Sequence, residues 1–263
     1  MSNGKSGINL TILGSGTCVP SLERSSCSVM MEVGDTRLLF DSGPGTMRRL
    51  LKTGTTIFDV DYIFYSHFHP DHTAELVPLL FATKYPDMDQ RQAVLTIVAG
   101  LGFEDFYAGL KSVYGKWIEL GSELVKIIQM DNRSADSQQL NNFTVQSAPV
   151  VHNPESIAYR ITSADGRSVV YSGDTDYSEN LIGLSKEADM LICESSLPDD
   201  LRLSGHLTPS LAGDIATRAG VKKLVLTHFY PQCDKANIAQ ECRKTYGGPL
   251  VLAEDLMRIE IGS

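Results

Sequence analysis

The feature that most constrains this chain is a short polar stretch, Tyr65–Thr73 (YSHFHPDHT), which directly follows an apolar, strand-like run. Three of the six histidines in the chain and one aspartate fall within the six positions from 67 to 72. His67 and His69 are two residues apart at a strand end, so their side chains project to the same side. A proline then turns the chain, which lets Asp71 and His72 face a second point close by. Because imidazole and carboxylate groups together suit zinc, manganese or iron, the loop predicts part of a site for two metal ions.

Ligands for a complete site must come from elsewhere, and three further strand-like runs end in a candidate. The runs 150–152 and 224–228 end in His152 and His228, and the run 169–174 ends in Asp174 inside a glycine turn. Taken singly, such a histidine is more often a hydrogen-bonded structural residue, and such an aspartate is more often part of a turn. The histidine loop has no comparably simple alternative, because clustered polar groups cost solvation and conformational entropy unless they bind something. Together these strand ends predict a metal site at the edge of a sheet.

Composition and charge bound the class of protein. The 263 residues are 42% apolar and 21% charged, and no linker or repeat divides them, so we expect one domain over residues 1–263. The formal net charge of −9 and the lack of a Lys/Arg-rich tract argue against a DNA partner, because such a surface repels polyanions. No apolar run reaches the ~18 residues of a membrane span, and the N-terminal stretch lacks the apolar segment of a signal peptide.

The cysteine pattern bears on the compartment. Five cysteines are an odd number, and no CxxC pair occurs. This argues against a disulfide framework or a zinc ribbon and is typical of a reducing environment. Together with the absence of a targeting segment, it predicts a cytoplasmic protein with no membrane partner.

Short β-type runs and helical segments alternate along the chain, which predicts a mixed α/β or α+β layered fold. Asp165-Gly166 between two runs is a hairpin signal, and Thr208-Pro209 marks a helix start, because threonine is a good N-cap and proline suits the first helical position. The predicted strands cover 8–13, 27–33, 37–40, 62–65, 94–98, 124–128, 143–151, 157–162, 168–172, 190–193, 223–227, 250–252 and 256–261, the last two as a pair. The predicted helices cover 45–52, 73–84 with Pro78 inside, 103–114, a segment from 208, and 237–246.

In order along the chain, these residues resemble the motifs of the metallo-β-lactamase superfamily. The motifs are the His-x-His-x-Asp-His loop, then His152, Asp174 within Ser-Gly-Asp-Thr, and His228 within Leu-Thr-His. Asp41 in Phe-Asp-Ser-Gly-Pro-Gly resembles the first motif of that superfamily, a structural aspartate beneath the histidine loop. The resemblance covers nearly the whole chain and implies an αββα sandwich of two mixed β-sheets flanked by helices, with the site at one edge of the sheets.

The same resemblance implies a centre of two divalent metal ions, with Zn²⁺ expected first and Mn²⁺ or Fe²⁺ as alternatives. A hydroxide between the two ions would be the nucleophile, its pKa lowered by both charges. True β-lactamases usually place a cysteine where Asp174 stands, so β-lactamase activity is not implied. The family's ligand set falls here on His67, His69 and His152 for one ion, on Asp71, His72 and His228 for the other, and on Asp174 as the bridge.

Within the superfamily, the chain is most similar to the ribonuclease Z group of phosphodiesterases. The similarity is carried by the segments 193–196 (CESS), 205–209 (GHLTP) and 226–229 (LTHF). In that group, the histidine matching His206 stabilises phosphate charge or donates a proton to the leaving oxygen, and the glutamate matching Glu194 orients it. His206, Glu194 and Asp71 are therefore the predicted catalytic residues. The simpler alternatives are a loop residue before a helix for His206 and a strand-end carboxylate for Glu194.

Three departures from the ribonuclease Z pattern point away from transfer RNA. Only 21 residues, which read as a hairpin, separate His152 from Asp174, where tRNA-processing members usually carry a long arm that grips tRNA. The PxKxRN loop of that group reads PSLERS here, with Leu22 in place of the lysine and Ser25 in place of the asparagine. After His228, Phe-Tyr-Pro replaces the usual serine-containing continuation. We therefore expect the substrate to be a small phosphodiester or the end of an RNA.

Two other functions are compatible with these residues. One is a lactone or thioester hydrolase on the same dinuclear centre, which would need the metals but not His206. The other is a metal-binding relative without catalytic activity. Relatives of this kind are often dimers, so a homodimer is a further expectation.

Overall fold

Two mixed β-sheets form the centre of the molecule, in a computed structural model that describes residues 7–84, 91 and 93–261. The strands of these residues are, in chain order, β1 (Ile8–Gly14), β2 (Ser28–Val33), β3 (Thr36–Phe40), β4 (Tyr62–Tyr65), β5 (Leu95–Gly100), β6 (Val125–Met130), β7 (Asp136–Leu140), β8 (Phe143–Pro149), β9 (Ile157–Ser163), β10 (Ser168–Tyr171), β11 (Met190–Glu194), β12 (Leu224–Thr227), β13 (Leu250–Leu252) and β14 (Arg258–Ile261). The α-helices are α1 (Thr46–Thr53), α2 (Pro70–Thr73), α3 (Leu76–Lys84), α4 (Phe103–Tyr114), α5 (Glu179–Leu184), α6 (Pro209–Ala219) and α7 (Ile238–Cys242).

Each sheet has a parallel half and an antiparallel half. In the order β14-β1-β2-β3-β4-β5-β6, the pairs up to β3 are antiparallel and the later pairs are parallel. In the order β13-β12-β11-β10-β9-β8-β7, the pairs up to β10 are parallel and the later pairs are antiparallel. Helices α1, α3 and α4 pack on the outer face of the first sheet, and α5, α6 and α7 pack on that of the second. The predicted αββα sandwich is confirmed.

Strand alternation sorts the apolar side chains into two layers. In β4, Tyr62 and Phe64 point into the core between the sheets, whereas Ile63 and Tyr65 point into the core beneath the outer helices. A strand buried on both faces reads as an unbroken apolar run, which is why β4 shows no polar alternation. Aromatic rings with centroids 4.8 to 6.1 Å apart fill the space between the sheets next to the site. They belong to Phe40, Phe64, Tyr159 and Tyr171.

The last two strands do not pair with each other, so that prediction was wrong. β13 lies beside β12 in the second sheet, whereas β14 lies beside β1 in the first. The connection between them crosses from one sheet to the other. The Ala253 N–H donates to the Leu226 carbonyl (2.8 Å), and the Leu256 N–H donates to the Ile12 carbonyl (2.6 Å). Closeness in sequence suggested a hairpin, but the pattern of a single strand carries no information about its partner.

Three local predictions also need correction. The helix predicted over 73–84 is α3, which begins three residues later at Leu76, and a separate short helix, α2, precedes it. Pro78 lies in the first turn of α3, where an N–H has no intrahelical partner, so the helix accommodates it. The strand β7 and the helix α5 were not predicted, since β7 is a polar edge strand and α5 has only six residues. Helix α6 begins after Thr208 as predicted, but the Thr208 side chain makes no capping hydrogen bond.

The described residues contain neither a membrane-spanning helix nor a disulfide bond. No helix among them combines the length and apolar character needed to cross a bilayer, and α4, with 12 residues, is the longest. All five cysteines lie in this part of the chain, and none forms a disulfide.

The packing of α6 against α7 leads to a stability prediction. A Cβ added at Gly213 would lie 2.8 Å from the Cys242 carbonyl oxygen, so Gly213→Ala should lower the free energy of unfolding by about 1–3 kcal/mol through overpacking. Gly183 is also helical but exposed, with open space around it, so Gly183→Ala should raise that free energy by about 0.5–1 kcal/mol. Urea unfolding of the two variants measures the difference, and a Gly213→Ala variant as stable as wild type would show that Gly213 is not in close contact with α7.

Candidate active site

The predicted ligands lie together because the strands before them end at the same edge of the molecule. In the first sheet, Asp41 follows β3 and His67 follows β4, which run parallel. In the second sheet, His152 follows β8, Asp174 follows β10 and His228 follows β12, and these three strands share one direction. The edge beyond the carboxyl ends of parallel strands is where α/β proteins commonly bind ligands.

Asp41 supports the histidine loop from below. Its carboxylate accepts hydrogen bonds from the Ser66 N–H (2.8 Å), the Ser66 hydroxyl (2.8 Å), His72 Nδ1 (2.7 Å) and the Tyr171 hydroxyl (2.7 Å). The residue is fully buried and has φ +56°, a left-handed conformation that is uncommon outside glycine. Because Nδ1 of His72 donates to Asp41, Nε2 is the ring nitrogen that faces the site.

One group of candidate ligands consists of His67, His69, His152 and Asp174. One ligand atom from each lies within 4.8 Å of all the others. Asp174 Oδ2 is 3.8 Å from His67 Nε2 and 4.0 Å from His152 Nε2, and His152 Nε2 is 3.3 Å from His69 Nδ1. These separations are those of atoms that surround a common point.

Hydrogen bonds on the far side of the rings set which nitrogen faces the site. The Ser66 hydroxyl donates to Asp41, so its oxygen is left to accept from His67 Nδ1 at 3.0 Å. His152 Nδ1 donates to the Gly205 carbonyl at 2.9 Å. In both residues Nε2 is therefore the unprotonated nitrogen, the form that binds a metal ion.

The second group consists of Asp71, His72 and His228, and Asp174 joins it through its other oxygen. Asp174 Oδ1 is 3.3 Å from both His72 Nε2 and His228 Nε2. Asp71 Oδ2 is 3.7 Å from His228 Nε2 and 3.9 Å from His72 Nε2. Asp174 thus presents one oxygen to each group, which is the arrangement a bridging carboxylate requires.

The inward atoms of these residues lack hydrogen-bond partners. Among the described residues, the buried Nε2 atoms of His67, His72 and His228 and the Oδ1 atom of Asp174 are all unpaired. Buried polar atoms are normally hydrogen-bonded, so four unpaired atoms at one place indicate a missing cationic group. Burial lowers the pKa of His67 well below its usual value, which keeps its imidazole in the neutral, ligating form. The donor set therefore fits divalent metal ions.

The electrostatics of His72 also favour a cation. Burial lowers its pKa, but the carboxylates of Asp174 and Asp41 outweigh burial and raise it well above the usual value. In the absence of metal, the negative charges around this ring are met by a proton. A metal ion bound to Nε2 would replace that proton, because metal ions and protons compete for the same lone pair.

Glu194 and His206 form a hydrogen-bonded pair beside both groups. His206 Nδ1 donates to Glu194 Oε1 at 2.9 Å, and the same carboxylate accepts from the N–H groups of Thr175 (2.7 Å) and Leu207 (3.2 Å). Burial lowers the pKa of His206, but the hydrogen bond and charge of Glu194, with the nearby aspartates, outweigh it and raise the pKa to about 9. The ring centroid of His206 is 5.0 Å from that of His152, so the imidazole borders the ligand cluster.

The sequence did not reveal several residues that shape the site. Tyr171 lies outside the quoted motifs, and Ser196 lies in the segment 193–196 but was given no role there; only the fold brings their hydroxyl groups to Asp41 and to Glu194. Gly173 follows β10 with φ +57°, and a Cβ there would lie 2.8 Å from the Ser66 hydroxyl oxygen. A glycine directly before a candidate ligand was the one available signal of such a close approach.

Comparison with known proteins agrees with this geometry. The family described as "Beta-lactamase superfamily domain" matches residues 36–229. Ribonuclease Z of Archaeoglobus fulgidus is 26% identical, over 96% of this chain and 97% of that protein. Among solved structures, the metallo-beta-lactamase fold protein YhfI from Bacillus subtilis superposes with a TM-score of 0.83 at 25% identity, over 98% of this chain and 100% of that one. The short form of human tRNase Z shares the fold, with a TM-score of 0.79 at 24% identity over 97% and 100%.

Asp41→Asn should destabilise the metal-free protein. The amide would place an NH₂ group against donors that now share a carboxylate, so we expect the free energy of unfolding to fall by about 2–4 kcal/mol. Urea unfolding in the presence of a chelator measures it without any contribution from bound metal. Asp105→Asn, an exposed change on α4, should stay within about 0.5 kcal/mol of wild type. Equal stability of the two variants would contradict the supporting role of Asp41.

Proposed function

The chain belongs to the beta-lactamase superfamily, and we propose that within it the protein is a metal-dependent phosphodiesterase whose substrate is a small phosphodiester or the end of an RNA. The observation that carries this proposal is the Glu194–His206 pair, which lies beside two groups of metal-ligating side chains that share Asp174. Relatives named ribonuclease Z, 26–27% identical over nearly the full length of both proteins, support the class of reaction.

The proposed metal ligands are five imidazoles and two carboxylates, a nitrogen- and oxygen-rich set that suits Zn²⁺ first and also accepts Mn²⁺ or Fe²⁺. When bound, two such ions supply Lewis acidity and lower the pKa of a water molecule between them. His67, His69 and His152 would hold one ion, Asp71, His72 and His228 would hold the other, and Asp174 would contact both. Asp71 is more exposed than Asp174 and borders the open side of the site.

His206 is proposed as the proton donor to the leaving oxygen. Its Nδ1 proton is held by Glu194, so the proton available for transfer is on Nε2. Glu194 fixes the orientation of the ring and stabilises the imidazolium, which keeps the donor charged at neutral pH. An alkoxide leaving from a phosphodiester is strongly basic, so it gains most from a positioned acid.

The same pair weighs against a thioester substrate, one form of the main alternative. A thioester releases a thiolate, which is a much weaker base than an alkoxide and gains little from a proton donor. A buried glutamate that receives several hydrogen bonds and orients a histidine is therefore better suited to phosphodiester cleavage. A hydrolase of lactones or thioesters would be recognised by activity that does not depend on His206.

The surroundings of the site favour a compact substrate. A cavity of about 430 Å³ lies beside Asp71, and its apolar lining includes Val19, Pro20, Pro44 and Pro70. Small-molecule sites commonly measure roughly 300–1,000 Å³, so the cavity is large enough for one small organic group. This apolar part of the lining suits the organic substituent of a phosphodiester.

The stretch between His152 and Asp174 is too short for the arm with which tRNA-processing members usually grip tRNA. The β9–β10 hairpin occupies the stretch between His152 and Asp174, where the tRNA-processing relatives carry their arm. The formal net charge of −9 disfavours long polyanions. A small phosphodiester is accordingly our first choice of substrate, and an RNA end is the second.

Metal removal should abolish activity. We expect about two metal ions per chain by elemental analysis, loss of bis(p-nitrophenyl) phosphate cleavage after chelation, and recovery when Zn²⁺ or Mn²⁺ is restored. His67→Ala and Asp174→Ala should reduce kcat below detection, because each removes a proposed ligand. Asp105→Ala, at an exposed position of α4 outside the ligand groups, is the control and should retain full activity. Turnover by metal-free protein would refute the mechanism.

The role of His206 predicts a dependence on the leaving group. His206→Ala should lower kcat about 10²–10⁴-fold for a dinucleoside monophosphate, which releases a basic alkoxide. For bis(p-nitrophenyl) phosphate the loss should be far smaller, because p-nitrophenolate needs little protonation. Glu194→Gln should show the same pattern with a smaller loss. Equal losses on both substrates would exclude proton donation by His206, and unchanged lactone hydrolysis in His206→Ala would favour the alternative function.

A further inference from the structure

Ser196 is fully buried two residues after β11 ends, and its hydroxyl contacts both parts of the candidate site. Ser196 Oγ lies 2.7 Å from Glu194 Oε2, 3.1 Å from His206 Nδ1 and 3.0 Å from His228 Nδ1. Glu194 and His206 form the proposed acid pair, whereas His228 is a proposed metal ligand. One side chain therefore links the two functions.

The direction of these hydrogen bonds follows from counting protons. A serine hydroxyl has one hydrogen, and a carboxylate can only accept, so Ser196 donates to Glu194. Its oxygen then offers only lone pairs, and His228 must carry its proton on Nδ1 to complete the 3.0 Å contact. This leaves Nε2 of His228 unprotonated and 3.3 Å from Asp174 Oδ1, where a metal ligand is needed.

We propose that Ser196 is a positioning residue that couples the second metal group to the acid pair. The inference rests on the proposed function, because it assumes that His228 binds a metal ion and that His206 donates a proton. The carboxylate of Glu194 orients His206 by a direct hydrogen bond. Through the Ser196 hydroxyl, the same carboxylate also selects the metal-binding tautomer of His228. Removal of the hydroxyl leaves the buried Nδ1–H of His228 without its acceptor and takes one donor from Glu194.

The neighbouring residue provides a matched control. Ser195 is also fully buried, but its hydroxyl has no hydrogen-bond partner among the described residues. Ser195→Ala and Ser196→Ala remove the same atom from adjacent buried positions, and only the second change interrupts the network. A general effect of deleting a buried hydroxyl should therefore appear equally in both variants.

The first measurement is metal affinity. Wild type, Ser195→Ala and Ser196→Ala are loaded with Zn²⁺ and titrated with a chromophoric chelator, with thermal melts to verify folding. We expect two ions per chain in all three proteins, with one of them bound about 10–100-fold more weakly in Ser196→Ala, because loss of a hydrogen bond behind a ligating histidine typically has that effect. Ser195→Ala should match wild type.

The second measurement is made with enough Zn²⁺ to fill both sites. Under these conditions Ser196→Ala should still lose about tenfold more kcat on a dinucleoside monophosphate than on bis(p-nitrophenyl) phosphate, because Glu194 no longer holds His206 as firmly. Ser196→Cys retains the shape of the side chain but replaces its oxygen by a weak acceptor, and should show both losses. It tests the same point if the alanine variant unfolds.

The outcomes separate the two proposals. If wild type binds no second ion or cleaves neither phosphodiester, the proposed function fails and the coupling fails with it. If wild type behaves as proposed but Ser196→Ala matches Ser195→Ala in either measurement, the coupling is wrong and the proposed function stands. Recovery of both substrates to wild-type rates by excess Zn²⁺ would likewise overturn the link to His206.

Discussion

The carboxylate of Asp41 is the interaction on which the rest of the site depends. It receives hydrogen bonds from the loop of the first sheet, through Ser66 and His72, and from the second sheet, through Tyr171. A charged group that is fully buried can be tolerated only when its lone pairs are used in this way. The four donors thus fix the position of the histidine loop relative to the opposite sheet before any metal ion binds.

The same principle is repeated around the cluster. Four of the five proposed imidazole ligands hydrogen-bond through Nδ1 to an acceptor on the side away from the site, so the Nε2 atom of each ring faces the site. The acceptors are a carboxylate for His72, a serine hydroxyl for His67, a backbone carbonyl for His152 and the Ser196 hydroxyl for His228. These hydrogen bonds also explain why the inward nitrogen atoms are unpaired. A ring that is held through Nδ1 cannot rotate to find a hydrogen-bond partner for Nε2. The site is therefore preorganised by hydrogen bonds that point away from it.

The sequence was informative where local chemistry decides the structure. The histidine loop, His152, Asp174 and His228 could be located because polar residues at the ends of apolar strands are conspicuous, and their order along the chain resembles one superfamily. Strand partners could not be found this way, as β13 and β14 show, since pairing depends on the whole fold. The hydroxyl groups of Tyr171 and Ser196 escaped notice for a related reason: serine and tyrosine occur throughout the chain, and only their neighbours in space give these two a function.

The placement of the proposed ligands on both sheets has a consequence for the stability of the fold. The loop at 67–72 belongs to the first sheet, whereas His152, Asp174 and His228 belong to the second, so neither sheet carries a complete set for either ion. Metal bound at the proposed site would connect the two sheets, and its binding energy would stabilise their contact in proportion to the logarithm of the free metal concentration. When metal is scarce, the contact between the two sheets would weaken, rather than the pairing of strands within either one. The stability of the fold would thereby depend on the supply of metal.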